Sequence, residues 1–144
     1  MEVSQSAIDL VKDFEGLRLK AYQCPAGIWT IGYGTTRSVW EGLQINEKQA
    51  EEFLERDLNY SVKKISFVVN VPINQNQIDA LASLIYNIGD SRFVTSTLLY
   101  LINKGKYDKA ANEFLAWSKI HGKQSHGLEE RRARERSLFL KKVD

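Results

Sequence analysis

Between residues 18 and 45 the helical spacing of apolar side chains that marks the segments on either side gives way, and this interruption is the strongest constraint on what the chain can fold into. Ahead of it, Ala7, Ile8, Leu10, Val11 and Phe14 form a stripe at helical spacing. They predict a helix over 4–14, opened by Ser4 or Ser6 and stopped by Gly16. The interrupted stretch is rich in Gly, Tyr, Trp and Thr, with strand-like pieces at 18–22, 28–32 and 39–45, a pattern that reads as a small antiparallel sheet. From Asn46 the helical period returns. Asn46 and Gln49 have the spacing of a capping box, and Ala50, Phe53, Leu54, Leu58, Val62 and Ile65 carry one long stripe. Further helices are predicted over 74–88 with a stop at Gly89, over 95–103 with a stop near Gly105, and over 107–119 and 128–142, so everything after residue 46 is expected to be helical.

A sheet confined to one end of a mainly helical chain is an α+β arrangement. The expected architecture is a small N-terminal sheet lobe over 15–46 and a larger helical lobe over 67–144 that includes the N-terminal helix. A long helix over 47–66 joins them. With 144 residues the whole is expected to be one domain, with a cleft between the lobes.

Composition removes several function classes. Hydrophobic residues at 43% and charged residues at 26% are ordinary for a globular chain and exclude disorder. There is no basic stretch followed by an apolar run at the N-terminus and no run of about 18 apolar residues, so the chain is expected to be soluble and made in a cytoplasm, without stable membrane insertion. Its single cysteine, Cys24, cannot form an internal disulfide. His121 and His126 lie apart from any Cys or carboxylate cluster, so neither a metal site nor a cofactor is expected.

The net charge of +2 is unevenly placed: residues 119–142 hold eight basic side chains against Glu129, Glu130 and Glu135. That end reads as a cationic face able to attract a polyanion. Its acidic neighbours partly neutralise it and no nucleic-acid motif accompanies it, so a solvated, salt-bridged helix is the simpler reading and no nucleic-acid partner is expected.

Glu15 falls where the first helix should end. The partial negative charge of a helix carboxyl terminus disfavours a carboxylate there, which suits a general acid, although most Glu residues at helix ends are simply solvated. The surrounding residues decide between these readings. Glu15-Gly16-Leu17-Arg18-Leu19-Lys20-Ala21-Tyr22, followed by Gly27-Ile28-Trp29-Thr30-Ile31-Gly32-Tyr33-Gly34, closely resembles the signature of the phage-type lysozymes, or endolysins. It sets a Glu, a Tyr, a Thr and four glycines in one register. The resemblance continues through Asn74 to Leu81, Tyr86 to Gly89, Ser96 to Leu99, Ala110 to Phe114 and Gly127 to Arg132, and so covers essentially the whole chain.

The resemblance implies an inverting glycoside hydrolase acting on peptidoglycan. The Glu matching Glu15 protonates the leaving glycosidic oxygen, a carboxylate in the following hairpin assists attack by water, and the Thr matching Thr30 helps place that water. The sequence departs from the commonest pattern at the second position, where Cys24 stands in place of Asp. A free thiol is mostly protonated at neutral pH, so Cys24 serves in one of three ways. As a thiolate, favoured by Lys20 or Arg18, it would polarise water or stabilise positive charge on the sugar. As a nucleophile it would form a covalent intermediate and change the outcome to retention. As a small packing residue it would leave the work to Glu15 and Thr30.

Thr35 stands where the family often carries His, so a salt bridge from that position is not expected. Gly27, Gly32 and Gly34 suit tight turns and close approach of sugar rings. Tyr22, Tyr33 and Trp29 could stack on sugars, though aromatic residues in a small sheet more often belong to the core. Tyr86, Asn87, Ser96 and Thr97 match segments that approach the substrate cleft, with helix capping by Ser96 and Asn87 as the alternative.

The role implied is lysis of a bacterial host by a monomeric enzyme. A chain without an export signal would need a partner such as a holin to reach the wall. The rival reading is a catalytically impaired relative that binds the wall on the same fold.

Overall fold

A computed structural model describes residues 1–143. Helix α1 spans Gln5–Phe14 and is followed by strands β1, Arg18–Gln23, and β2, Trp29–Gly32. Helices α2, Glu47–Val68, α3, Gln75–Ile88, α4, Asp90–Val94, α5, Thr97–Asn103, and α6, Tyr107–Glu113, come next. A 3-10 turn at Phe114–Ala116, a two-residue hairpin of β3, Lys119–Ile120, and β4, Lys123–Gln124, and helix α7, His126–Leu140, complete the order. The class is α+β, as the sequence predicts.

The long helix begins where its capping box places it. The Asn46 side chain accepts from the Gln49 amide at 2.8 Å, and the Gln49 side chain accepts from the Asn46 amide at 2.9 Å. Two of the orphan amides of a helix start are thereby satisfied. Asn74 and Gln77 repeat the device at the start of α3, with both bonds at 2.8 Å. Helix α3 is the centre of the core: Ile78, Ala80, Leu81, Leu84 and Ile85 are buried, and α1, α2 and α7 pack around it. Each such Leu or Ile removed from water contributes about 1.5–3 kcal/mol.

Four sequence expectations are corrected. Helix α1 ends because Glu15 turns extended at φ −102°, while Gly16 takes no left-handed conformation. Ser4 precedes α1 without capping it, its side chain being bonded to buried Asp79. The third strand reduces to one bridge, Lys20 to Gln44, with the Ala21 amide donating to Leu43 O and the Ile45 amide to Leu19 O, both at 2.9 Å. The predicted helix over 107–119 stops at residue 113, and β3 and β4 turn through His121 and Gly122 at φ 50° and 78°.

The cationic C-terminal face is also corrected. Arg131 and Arg132 are buried rather than solvated, and Glu135 is buried between them. Arg131 Nε donates to Glu135 Oε2 at 3.3 Å, Arg132 Nε lies 2.8 Å from Glu135 Oε1, and the Ser83 hydroxyl donates to Glu135 Oε2. Burial pushes the Glu135 carboxyl up from the usual carboxylate range and draws the Arg132 guanidinium down to about 10, each opposed by the other's charge. Of the remaining arginines, Arg134 pairs with Asp13 at 2.8 Å and Arg136 donates to Asn112 at 3.0 Å.

Candidate active site

Glu15 lies at the junction of α1 and β1, where the helix end leaves its carboxylate 28% exposed. Arg131 of α7 reaches it: Nη1 donates to Glu15 Oε1 at 2.8 Å. The same guanidinium donates from Nη2 to the Ser83 carbonyl at 3.3 Å and from Nε to Glu135, so it is held on three sides. The setting of Glu15 therefore includes a positive charge that opposes the negative end of the helix. A buried cation faces the carboxylate, and Oε2 has no hydrogen bond within the described residues.

A cavity of about 390 Å³ opens beside Glu15. Gly34 and Thr36 form one wall, Asp57 and Tyr60 of α2 another, and Tyr86 and Asn87 at the end of α3 a third, with Arg37 at the edge. Tyr86 is fixed by donating to the Tyr33 carbonyl at 2.9 Å. Burial, then the charges of Asp57 and Glu15, raise its hydroxyl well above the usual phenol value, so it acts here as a neutral donor. Gly34 has φ 111°, and a Cβ there would stand 3.0 Å from the Tyr86 hydroxyl, so glycine is what allows this wall to close.

Sequence reasoning missed Asp57, the second carboxylate of the cavity. Its Oδ2 accepts from the Thr35 hydroxyl at 2.8 Å and its Oδ1 from Arg56 at 3.3 Å. Thr35 thus makes a neutral link to Asp57 from the position where no salt bridge was expected. Each Asp57 oxygen accepts one of these bonds and keeps a further lone pair. The signal available was its place on the stripe-bearing long helix, which does not by itself separate a cleft carboxylate from a solvated one.

Cys24 opens the β1–β2 turn. The loop Pro25, Ala26, Gly27 is closed by the Gly27 amide donating to the Cys24 carbonyl at 2.7 Å, with Gly27 at φ 80°, and the Cys24 amide donates to Ile28 O at 2.9 Å. Pro at the second turn position and Gly in the left-handed region are what a three-residue hairpin loop requires. The amides of Ile28 and Ala26, and then the Thr30 hydroxyl, hold the Cys24 thiol below its ordinary value of 9.0, with desolvation opposing them. The Arg18 guanidinium lies over the Tyr22 ring at 4.2 Å.

Thr30 is buried and its hydroxyl donates to Ile28 O at 3.0 Å. A hydroxyl has one proton, so donation to Ile28 O and donation to a Cys24 thiolate are alternatives, and the state of the sulfur sets which way Thr30 points.

The structure brings Glu15, Tyr86 and Asn87 to one cavity and pairs Cys24 with Thr30 in the β1–β2 hairpin, outside that lining. Tyr22, Tyr33, Ser96 and Thr97 do not line the cavity either. Tyr33 is 5% exposed and lines a different hollow, with Lys12 and Glu51. The Ser96 hydroxyl caps α5, accepting from the Leu99 amide at 3.1 Å and donating to Phe93 O at 2.6 Å. Thr97 is exposed at the first turn of α5.

No helix of the described residues is long and apolar enough to cross a membrane. The family model described as phage lysozyme matches residues 12–135. The chain is 46% identical to an endolysin of Acyrthosiphon pisum secondary endosymbiont phage 1, over 96% of this chain and 98% of that protein. It is 47% identical to the endolysin of Salmonella phage P22, over 97% and 99%. A crystal structure of a P22 lysozyme mutant superposes with a TM-score of 0.88 at 44% identity, covering 98% of this chain and 99% of that one. The chain belongs to the phage lysozyme family and is a glycoside hydrolase, a muramidase.

Proposed function

We propose that the protein hydrolyses the β-1,4 bond between N-acetylmuramic acid and N-acetylglucosamine in bacterial peptidoglycan, as a single-domain monomer that lyses a phage's host. The observation that carries this reading is Glu15, on the cavity wall with one oxygen held by Arg131 and the other without a protein partner. Oε1 fixes the carboxyl's orientation, and Oε2 is the atom that would carry the proton to the leaving glycosidic oxygen.

Cys24 takes the place of the usual Asp. Backbone amides and the Thr30 hydroxyl favour its thiolate, which supports polarisation of a water or stabilisation of the positive charge that develops on the sugar ring. Thr30 would orient that water while sharing its proton with the sulfur. Attack by the sulfur itself would give a covalent intermediate and retention. Tyr86 and Asn87, which line the cavity, would meet sugar hydroxyls and N-acetyl groups, with Tyr22 of β1 as a further sugar contact. A silent, wall-binding role is not favoured, because the chain belongs to the phage lysozyme family and Glu15 lines an open cavity. For a chain made without an export anchor, release to the wall would depend on a partner such as a holin.

The test is to digest purified peptidoglycan and identify the new ends by mass spectrometry. New N-acetylmuramic acid reducing ends support the bond assignment. New N-acetylglucosamine ends, or 1,6-anhydro products, would overturn it.

A further inference from the structure

The cavity beside Glu15 does not end at its α2 wall. Arg37 and Tyr60 also line a second hollow of about 450 Å³ that runs along α2 past Lys63. Tyr60 and Lys63 then line a third, of about 290 Å³, with Lys64 and Phe67. Residues 60, 63, 64 and 67 recur at three- and four-residue spacing, so they lie on one face of the helix. That face is exposed and apolar in part, with Tyr60 52% and Phe67 81% exposed.

Its charge is unbalanced. The Arg37 guanidinium stacks on the Tyr60 ring at 4.4 Å, which fixes its plane while leaving its N–H edges open. Arg56 is engaged by Asp57. Neither Arg37, Lys63 nor Lys64 has a carboxylate within 4.0 Å among the described residues, and Glu2 is the one acidic residue on the second hollow.

We infer that Arg37, Tyr60, Lys63 and Lys64 form a subsite for the carboxylates of the peptide stems that peptidoglycan carries. Continuity selects this occupant, because a glycan strand seated beside Glu15 would project its stems from the cavity edge, where Arg37 stands. The glycan backbone offers few charges, whereas the stems offer free carboxylates that match unpaired cations, and the Tyr60 and Phe67 rings offer surface to their apolar side chains. This inference rests on the peptidoglycan reading above.

The experiment compares wild type with Lys63→Ala/Lys64→Ala and Arg37→Ala on intact sacculi and on sacculi whose carboxyls have been amidated with carbodiimide and ammonia. Wild type is expected to prefer intact sacculi by about tenfold in kcat/KM, as two or three charged contacts would give, with the preference decaying as salt rises. Each variant should lower that ratio at least about threefold. A ratio unchanged in the variants, or equal losses on both substrates, would overturn the subsite. So would loss of binding to vesicles of anionic lipid with the sacculus ratio intact, which would assign the face to a membrane instead. Failure of wild type on both substrates would overturn the hydrolase reading, a result distinct from failure of the subsite.

Discussion

Arg131 and Glu15 are 116 residues apart in sequence, and their side chains meet at 2.8 Å, the guanidinium 3% exposed and the carboxylate 28%. The pair joins the last helix to the end of the first. It also completes a charge balance, because Arg131 and Arg132 are buried with Glu135 as their only other partner among the ion pairs of the described residues.

Arg131→Ala should destabilise the fold by roughly 1.5–3 kcal/mol, since Glu135, Glu15 and the Ser83 carbonyl each lose a hydrogen bond from a charged donor while Arg132 still balances Glu135. Turnover should fall at least about tenfold in the folded fraction, because the acid loses the contact that orients it. Urea unfolding and a reducing-end assay measure the two effects. A loss below about 1 kcal/mol with full activity would contradict the account.

Gly34→Ala should destabilise by about 1–3 kcal/mol and impair activity, because φ 111° is strained for alanine and its Cβ would meet the Tyr86 hydroxyl. Tyr86→Phe, which removes only the bond to Tyr33 O, should cost about 1 kcal/mol. Thermal unfolding of the two variants separates strain from the lost bond, and equal shifts would argue against the close approach.

The Cys24 thiolate should form below pH 9.0, and thiolate absorbance read against pH would show it. A depressed value in the folded state means that the group's contribution to stability is present above the unfolded value and is lost as pH falls through the folded one. In Thr30→Val the thiolate should lose one donor and titrate higher, with turnover reduced and folding retained. A midpoint in the folded wild type no lower than that of the unfolded chain would contradict the reading of the hairpin.

Cys24→Asp should retain activity and Cys24→Ala should lower kcat by at least about tenfold, whereas Asp57→Asn, whose side chain can still accept from Thr35, should lose less. A larger loss in Asp57→Asn, measured on refolded protein of matched stability, would move the second catalytic role to Asp57.

What was legible in the sequence is what is local. The Asn46–Gln49 box, the stripe from Ala50 to Ile65 and the stop at Gly89 act within a few residues of themselves, so spacing alone predicts them. Glu15, Cys24 and Thr30 were singled out by their register in one motif, and of the three Glu15 lines the cavity. The inward face of α7 was not legible: it carries Arg131, Arg132 and Glu135 beside Phe139, and charged residues read as solvated until the partners that pair with or hydrogen-bond them, Glu15 and Ser83, are brought in from far along the chain. The β3–β4 hairpin was missed because each strand is two residues long and its turn uses His121 and Gly122, a weaker signal than Asn-Gly. The 39–45 stretch has strand-forming residues but pairs at a single bridge.

The central claim is that Glu15 is the acid that cleaves the glycan. Wild type and Glu15→Gln should be incubated side by side with peptidoglycan, each first shown to be folded by circular dichroism, and new reducing ends counted. The account predicts hydrolysed muropeptides from wild type alone; equal release by Glu15→Gln, or none by either protein, would contradict it.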